Sequence, residues 1–235
     1  MSQIEQSAVR NRLLTSLPPA DFKRLATSLT PVTLTLKQTL LEAEEPIGAA
    51  YFIETGMVSY LNYLEGGEAV EIGLIGSEGM LGLPLILGVD QAPVGAMVQL
   101  KGIALRIGPA ALRQAFNESE TLRTRLLRYM QAFHIQVSQT AVCNSHHKLE
   151  ERLIRWLLMA HDRAGGDRFP MTHEFMSLML GVRRAGVTVT AGALKHAGLI
   201  QYANGCVTVL DRPGLEAAAC ECYGNVQRQF EQLLA

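Results

Sequence analysis

The sequence predicts an α+β fold: a β-rich first half, one long helix, and a helical second half that contains a short β-hairpin. Three observations carry that prediction. Between Val32 and Ile107, runs of β-branched and apolar residues alternate with glycine turns, the texture of a β-sandwich or barrel. From Asn117 to Cys143, neither proline nor glycine interrupts a helical repeat of apolar residues. From Met171 to Ile200, two short amphipathic patterns flank Gly181, and strand-forming residues on both sides of Asn204-Gly205 follow.

The totals bound the rest. A chain of 235 residues, 48% apolar and 18% charged, fits a globular protein of one large domain or two small ones, with ample material for a core. No apolar run approaches membrane-spanning length, and MSQIEQSAVRNRLL lacks the apolar centre of a secretion signal. A soluble, cytoplasmic chain with no membrane partner is expected. Net charge is −1, but it is unevenly spread. Between Lys37 and Lys101 there is no Lys or Arg, while Glu42, Glu44, Glu45, Glu54, Glu65, Glu68, Glu71, Glu78 and Asp90 all fall there. Positive charge resumes later, at Arg123, Arg125, Arg128, Lys148, Arg152, Arg155, Arg183, Arg184 and Lys195. The first half would be repelled by a phosphate backbone, and the second could approach one.

Taken in order, the chain opens with two helical fragments. Leu13, Leu14 and Leu17 belong to the first; Pro18-Pro19 starts the second, with Phe22, Leu25 and Leu29 on one face. The strands expected next are Val32–Leu36, Ala50–Thr55, Met57–Leu64, Ala69–Ile75, Gly95–Leu100 and Ile103–Ile107, with turns at Glu54-Thr55-Gly56 and Glu65-Gly66-Gly67-Glu68. The segment from Gly76 to Gly88 reads as a glycine-bound turn and short helix. Another short helix covers Pro109 to Phe116. Asn117, with Glu120 three residues on, is the expected cap of the long helix. Leu122, Leu126, Tyr129, Phe133 and Val137 form its narrow stripe, a seam suited to pairing with a second copy of the chain. Cys143 to His147 reads as a hinge, Leu149 to Asp162 as a helix with Leu153, Trp156, Leu157 and Ala160 on one face, and Arg163 to Phe169 as a loop.

The segment from Met171 to Ile200 carries the functional signal. Thr172 can cap the first short helix, where Phe175, Met176, Met179 and Leu180 share a face. Gly181 breaks it, and a second apolar pattern runs through Val182, Val187, Ala191, Leu194 and Ala197. A helix-turn-helix places the N-terminal residues of its second helix at base edges in the major groove. Those residues here are Arg183 and Arg184, and the arginine fork matches the two acceptors of guanine. The hairpin around Asn204-Gly205 turns the motif into a winged helix. One last helix is expected from Gly214 toward Leu234.

Barrel, long helix and winged helix in this order resemble the Crp/Fnr family of bacterial transcription regulators. The resemblance is firmest from Thr172 to Ile200 and extends to Tyr51-Phe52-Ile53 to Gly56 and Gly76 to Gly82. It implies a cyclic-nucleotide-binding-like β jelly-roll at 1–116, a dimerisation helix and hinge at 117–145, and a winged helix-turn-helix at 146–235. It implies double-stranded DNA, a second copy of the chain and RNA polymerase as partners, with the barrel sensing a small effector that the sequence does not identify. Arg184 takes the place of the family's main base-reading arginine and Thr172 that of a phosphate-contacting threonine, and Arg183, Thr188 and His173 join them as candidate DNA contacts. Members that bind cyclic AMP have an acidic residue after the second cassette glycine and an arginine-serine pair further on. Here Leu83-Pro84 and Val94-Gly95 stand there, and no cation is near. A buried phosphate without a cationic partner is costly, so control by cyclic AMP is not expected. Ala185 and Val189 also replace two of the family's familiar DNA contacts, so a different operator is expected.

The remaining reactive residues suggest little by themselves. In a cytoplasmic chain, Cys143, Cys206, Cys220 and Cys222 are expected to be free thiols. A C-x-C on a helix points its side chains to different faces, so no metal ligand and no cofactor are assigned. No nucleophile–base order, phosphate loop or zinc-protease motif indicates an enzyme. The alternative is a sensor or adaptor of the same fold that binds a protein partner, or a metal or redox signal through Cys and His.

Overall fold

A computed structural model describes residues 4–66 and 68–235. Two short helices, α1 (Arg12–Thr15) and α2 (Pro19–Ala26), lead into six strands: β1 (Thr30–Leu34), β2 (Thr39–Leu41), β3 (Ala50–Tyr63), β4 (Ala69–Ile75), β5 (Met80–Leu81) and β6 (Gly95–Ile107). All pair antiparallel in one sheet of order β1-β6-β3-β4, with β2 also on β6 and β5 also on β3. A 3₁₀ turn at Leu83–Leu87 realises the short helix expected inside this region.

The sequence divides β3 and β6 into two strands each, but both are continuous. The supposed turn at Glu54-Thr55-Gly56 is an irregularity in the β3–β6 register, opposite the supposed gap at Lys101-Gly102. A Cβ on Gly102 would lie 1.9 Å from the Thr55 carbonyl oxygen, so only glycine lets the strands pass there. Bulges are gaps in alternation, which a sequence shows as turns. The short strands β2 and β5 escape because two or three residues carry no period. In the expected turn at residues 65–68, Gly67 lies outside the described residues.

After α3 (Pro109–Glu118) comes the long helix α4 (Glu120–His146). Its cap is Ser119, whose hydroxyl accepts from Leu122 N at 3.1 Å; Asn117 lies inside α3 instead. Leu122, Leu126, Tyr129 and Phe133, expected to face a second copy, are buried within this chain. They pack on the barrel and on the C-terminal helix: Phe133 meets Tyr60 edge-on with ring centroids 5.6 Å apart, and Tyr129 meets Phe230 at 6.4 Å. The apolar stripe therefore serves the core.

The second half contains α5 (Leu149–Ala164), β7 (Arg168–Pro170), α6 (His173–Leu180), α7 (Arg184–His196), β8 (Ile200–Ala203), β9 (Cys206–Val209), α8 (Arg212–Ala218) and α9 (Glu221–Leu234). The end of the predicted 163–169 loop is strand β7, which pairs with β9 to make a sheet of order β7-β9-β8. The single last helix is two, separated by extended backbone at Ala219 and Cys220. α9 leaves the winged unit, and its Val226, Phe230 and Leu234 join the core of the barrel and α4. A second core combines α5, α6, α7 and the wing with Met57, Leu61, Leu74 and Leu100 of the barrel.

Candidate nucleic-acid interface

The Thr172 hydroxyl accepts from Phe175 N at 3.2 Å and starts α6. Gly181, at φ 62°, ends it, and a left-handed cap of this kind favours glycine. α6 buries Met176, Met179 and Leu180, and α7 buries Val187, Ala191 and Leu194. The opposite face of α7 presents Arg184, Ala185, Thr188, Val189, Gly192 and Lys195 to solvent. Val189 is 74% exposed, the largest apolar side chain on that face.

Arg183 occupies the cap position of α7, and Arg184 is its first helical residue. Both are exposed, and neither side chain forms an ion pair or hydrogen bond among the described residues. Two free guanidinium groups thus stand at the positive end of the helix dipole, beside N–H groups that have no helical acceptor. This arrangement attracts phosphate and leaves planar donors available for a base edge.

Two other candidates are held more tightly. The Thr188 hydroxyl donates to the Arg184 carbonyl at 3.1 Å, so it accepts from His173 Nδ1, also at 3.1 Å. The His173 ring stacks on Tyr202, with centroids 4.1 Å apart and planes 21° from parallel. Burial, and then the Arg184 charge, lower the His173 pKa and favour the neutral ring. His173, Thr188 and Tyr202 thus join α6, α7 and the wing into one unit. Tyr202 escapes sequence reasoning because an aromatic on a wing strand reads as ordinary packing. Thr172 remains exposed beside this group. In the wing, Asn204 and Gly205 have φ of 51° and 71°, the two positive values that a two-residue hairpin turn requires. The Gly205 carbonyl accepts from Met171 N at 2.6 Å, fastening the turn to the start of the helix-turn-helix.

Polar contacts that the sequence does not reveal dock the winged unit on the barrel. Trp156 Nε1 donates to Glu71 at 2.7 Å, and the Ser59 hydroxyl donates to the other oxygen of that carboxylate. Burial pushes the Glu71 pKa up to about 7, against the lowering effect of these two hydrogen bonds and of Arg155 and Arg163. Arg163 donates twice to Glu78, at 2.9 and 2.6 Å, and both side chains are largely buried. Where the barrel meets α4, the Gln136 amide exchanges hydrogen bonds with both backbone groups of Leu74, at 2.7 and 3.1 Å. Tyr129 donates to the Met80 carbonyl at 3.2 Å.

Three of the four thiols converge with a histidine. Cys143 near the end of α4, the helix's capping residue His147, and Cys220 and Cys222 at the start of α9 place their ligand atoms within 4.8 Å of one another. The expectation that C-x-C side chains diverge on a helix does not apply, because Cys220 is the extended cap residue and not helical. Cys206 stands apart on β9. The hinge expected at Cys143 to His147 is helical as far as His146, which is exposed, and the chain breaks only at His147.

Comparison with known proteins places the winged unit beside a described family. Residues 151–218 match the family described as the Crp-like helix-turn-helix domain. That stretch is similar to the Crp-like helix-turn-helix domain, and the chain that carries it has the fold of the solved Crp/Fnr regulators. A Crp/Fnr-family regulator from Eubacterium rectale superposes with a TM-score of 0.69 at 17% identity, over 88% of this chain and 96% of its own. FixK2 from Bradyrhizobium japonicum gives 0.70 at 15% identity, over 82% and 98%. A CRP-family transcriptional regulator from Thermus thermophilus gives 0.68 at 20%, over 80% and 96%. A search of curated protein sequences found no match. Among the described residues, no helix is long and apolar enough to cross a membrane.

Proposed function

We propose that this chain is a Crp/Fnr-type transcription regulator that binds a palindromic promoter site as a homodimer, without control by cyclic AMP. The observation that carries the reading is the exposed, unpaired Arg183–Arg184 pair at the start of the second helix of a Crp-like helix-turn-helix domain. Arg184 reads a guanine, Arg183 and Thr172 hold phosphates, and Ala185 and Val189 lie against thymine methyl groups. His173 and Thr188 set the angle between the two helices and the wing. The test is a gel shift on DNA upstream of the chain's own coding sequence, repeated across a salt series. Specific binding that weakens steeply as salt rises supports the reading; binding without salt dependence, or none at all, overturns it.

Two features support the remaining parts. The outer face of α4 exposes two large apolar side chains, Leu127 and Val142, on a helix long enough to pair with a second copy of itself. A dimer in sedimentation velocity that becomes monomeric on Leu127→Glu with Val142→Glu supports that face as the seam. Against cyclic-nucleotide control, the barrel strands β2 to β5 carry no cation, and the Phe133 ring lies within 3 Å of where a Gly73 Cβ would stand. Calorimetry should detect no micromolar binding of cyclic AMP or cyclic GMP.

A further inference from the structure

We infer that Cys143, His147, Cys220 and Cys222 bind one zinc ion, which staples the end of α4 to the start of α9. Two of the distances match those of the metal site, and every other ligand pair lies within 4.8 Å. In a tetrahedral site with Zn–S near 2.3 Å and Zn–N near 2.0 Å, sulfur atoms lie about 3.8 Å apart and a sulfur–nitrogen edge spans about 3.5 Å. Here Cys143 Sγ and Cys220 Sγ are 3.7 Å apart, and Cys222 Sγ and His147 Nδ1 are 3.4 Å apart. A disulfide needs the sulfur atoms at about 2.05 Å, so these two thiols are not bonded to each other, and their spacing suits a shared ion. Cys143 and His147 are one helical turn apart on the same face, and all three cysteines are buried in a cluster of their own.

The groups around the four ligands complete the site. His147 turns its other nitrogen, Nε2, toward the exposed Glu221 carboxylate at 3.4 Å, within reach of the carboxylate–histidine pairing that orients a ligating ring once the metal is bound. Gln139 Nε2 lies 3.1 Å from Cys222 Sγ, placed to donate to a thiolate. The buried Arg155 acts electrostatically on Cys143 and opposes the effect of burial there. Three thiolates and a neutral imidazole bring three negative charges to a dication, and Arg155 offsets the remainder. Each thiol releases its proton to solvent as its bond to the metal forms. Four protein ligands leave no position for substrate, so the site is structural, and thiolates with imidazole select zinc over hard cations.

Both ligand pairs flank the winged unit: α4 enters it, and α9 leaves it toward the barrel. An ion here sets the angle at which the helix-turn-helix is held, a consequence that rests on the DNA-binding reading; the metal site does not. The test uses the full chain, purified under reducing conditions. Elemental analysis should find one zinc per chain, and cobalt substituted for it should show the intense thiolate charge-transfer and ligand-field bands of a tetrahedral site. Cys143→Ser with Cys220→Ser should lose that spectrum, and Cys206→Ser should keep it. A wild-type chain with no zinc and no tetrahedral cobalt spectrum overturns the inference, as does an unchanged spectrum in the double variant or a Cys143–Cys220 disulfide formed in place of metal binding. Chelation of a zinc-loaded chain should lower operator affinity at least tenfold. Zinc binding without any DNA binding would leave the site standing and remove only the regulatory role.

Discussion

Arg184 and Arg163 show two opposite uses of one side chain. Arg184 stands at the open end of α7 with its guanidinium unpaired in water. Arg163, on α5, is largely buried and gives two hydrogen bonds to the equally enclosed Glu78 across the junction of barrel and winged unit. A solvated arginine keeps its hydration until a phosphate or base replaces it, so its free energy appears on binding. A buried one has already lost hydration and is held by its partner, so its free energy appears in folding. Substitution should therefore separate stability from DNA affinity.

The largest effect is expected at the buried pair. Glu78→Ala strands the Arg163 charge and should lower unfolding free energy by about 3–5 kcal/mol in urea titration. A loss below about 1 kcal/mol would mean that water reaches the pair.

Next comes Glu71, the other buried carboxylate at this junction. Its folded pKa is raised from 4.5 to about 7, so the folded state holds the proton more tightly than the unfolded chain. Its contribution is fully present below pH 4.5 and is lost as pH rises through about 7, a change on the order of 3 kcal/mol. Glu71→Gln keeps an acceptor for Trp156 and lets the Ser59 hydroxyl reverse, so it should flatten this part of the stability–pH curve. An unchanged slope would place the titration elsewhere.

Arg184→Ala should cost about 1–3 kcal/mol in specific binding and relax preference at one base pair, while unfolding moves by less than about 0.5 kcal/mol. Equal loss on specific and random DNA would instead make Arg184 a phosphate contact. The smallest effect is expected at Val189. Its truncation to Ala should change affinity by about 1 kcal/mol or less and reduce preference for thymine at the facing position, read from a panel of operator variants. A change independent of sequence would show that Val189 faces no base.

The winged unit was legible because its signals are local. Thr172, Gly181 and Asn204-Gly205 act on the backbone within a few residues, and each forms the cap or turn expected of it. The barrel was legible as a texture but not as separate strands, because bulges at Gly56 and Gly102 imitate turns. The stripe of α4 was visible, but its partner was not: an apolar face declares that it will be buried, not against what. The Cys and His residues were in view as a possible metal or redox site, but their meeting was not, because the two halves lie about 75 residues apart in sequence.

The sequence alone determined the order of the main elements, the capping of the helix-turn-helix and the placing of two arginines at the start of its second helix. Those follow from backbone chemistry and helical period, which act over a few residues. Only the tertiary structure decided that Tyr129 and Phe133 fill this chain's own core, that Arg163 meets Glu78, and that three thiols and an imidazole share one site. Those depend on how α4, α5 and α9 pack on the barrel. Packing is set by the summed burial of the whole chain, and no local pattern records it.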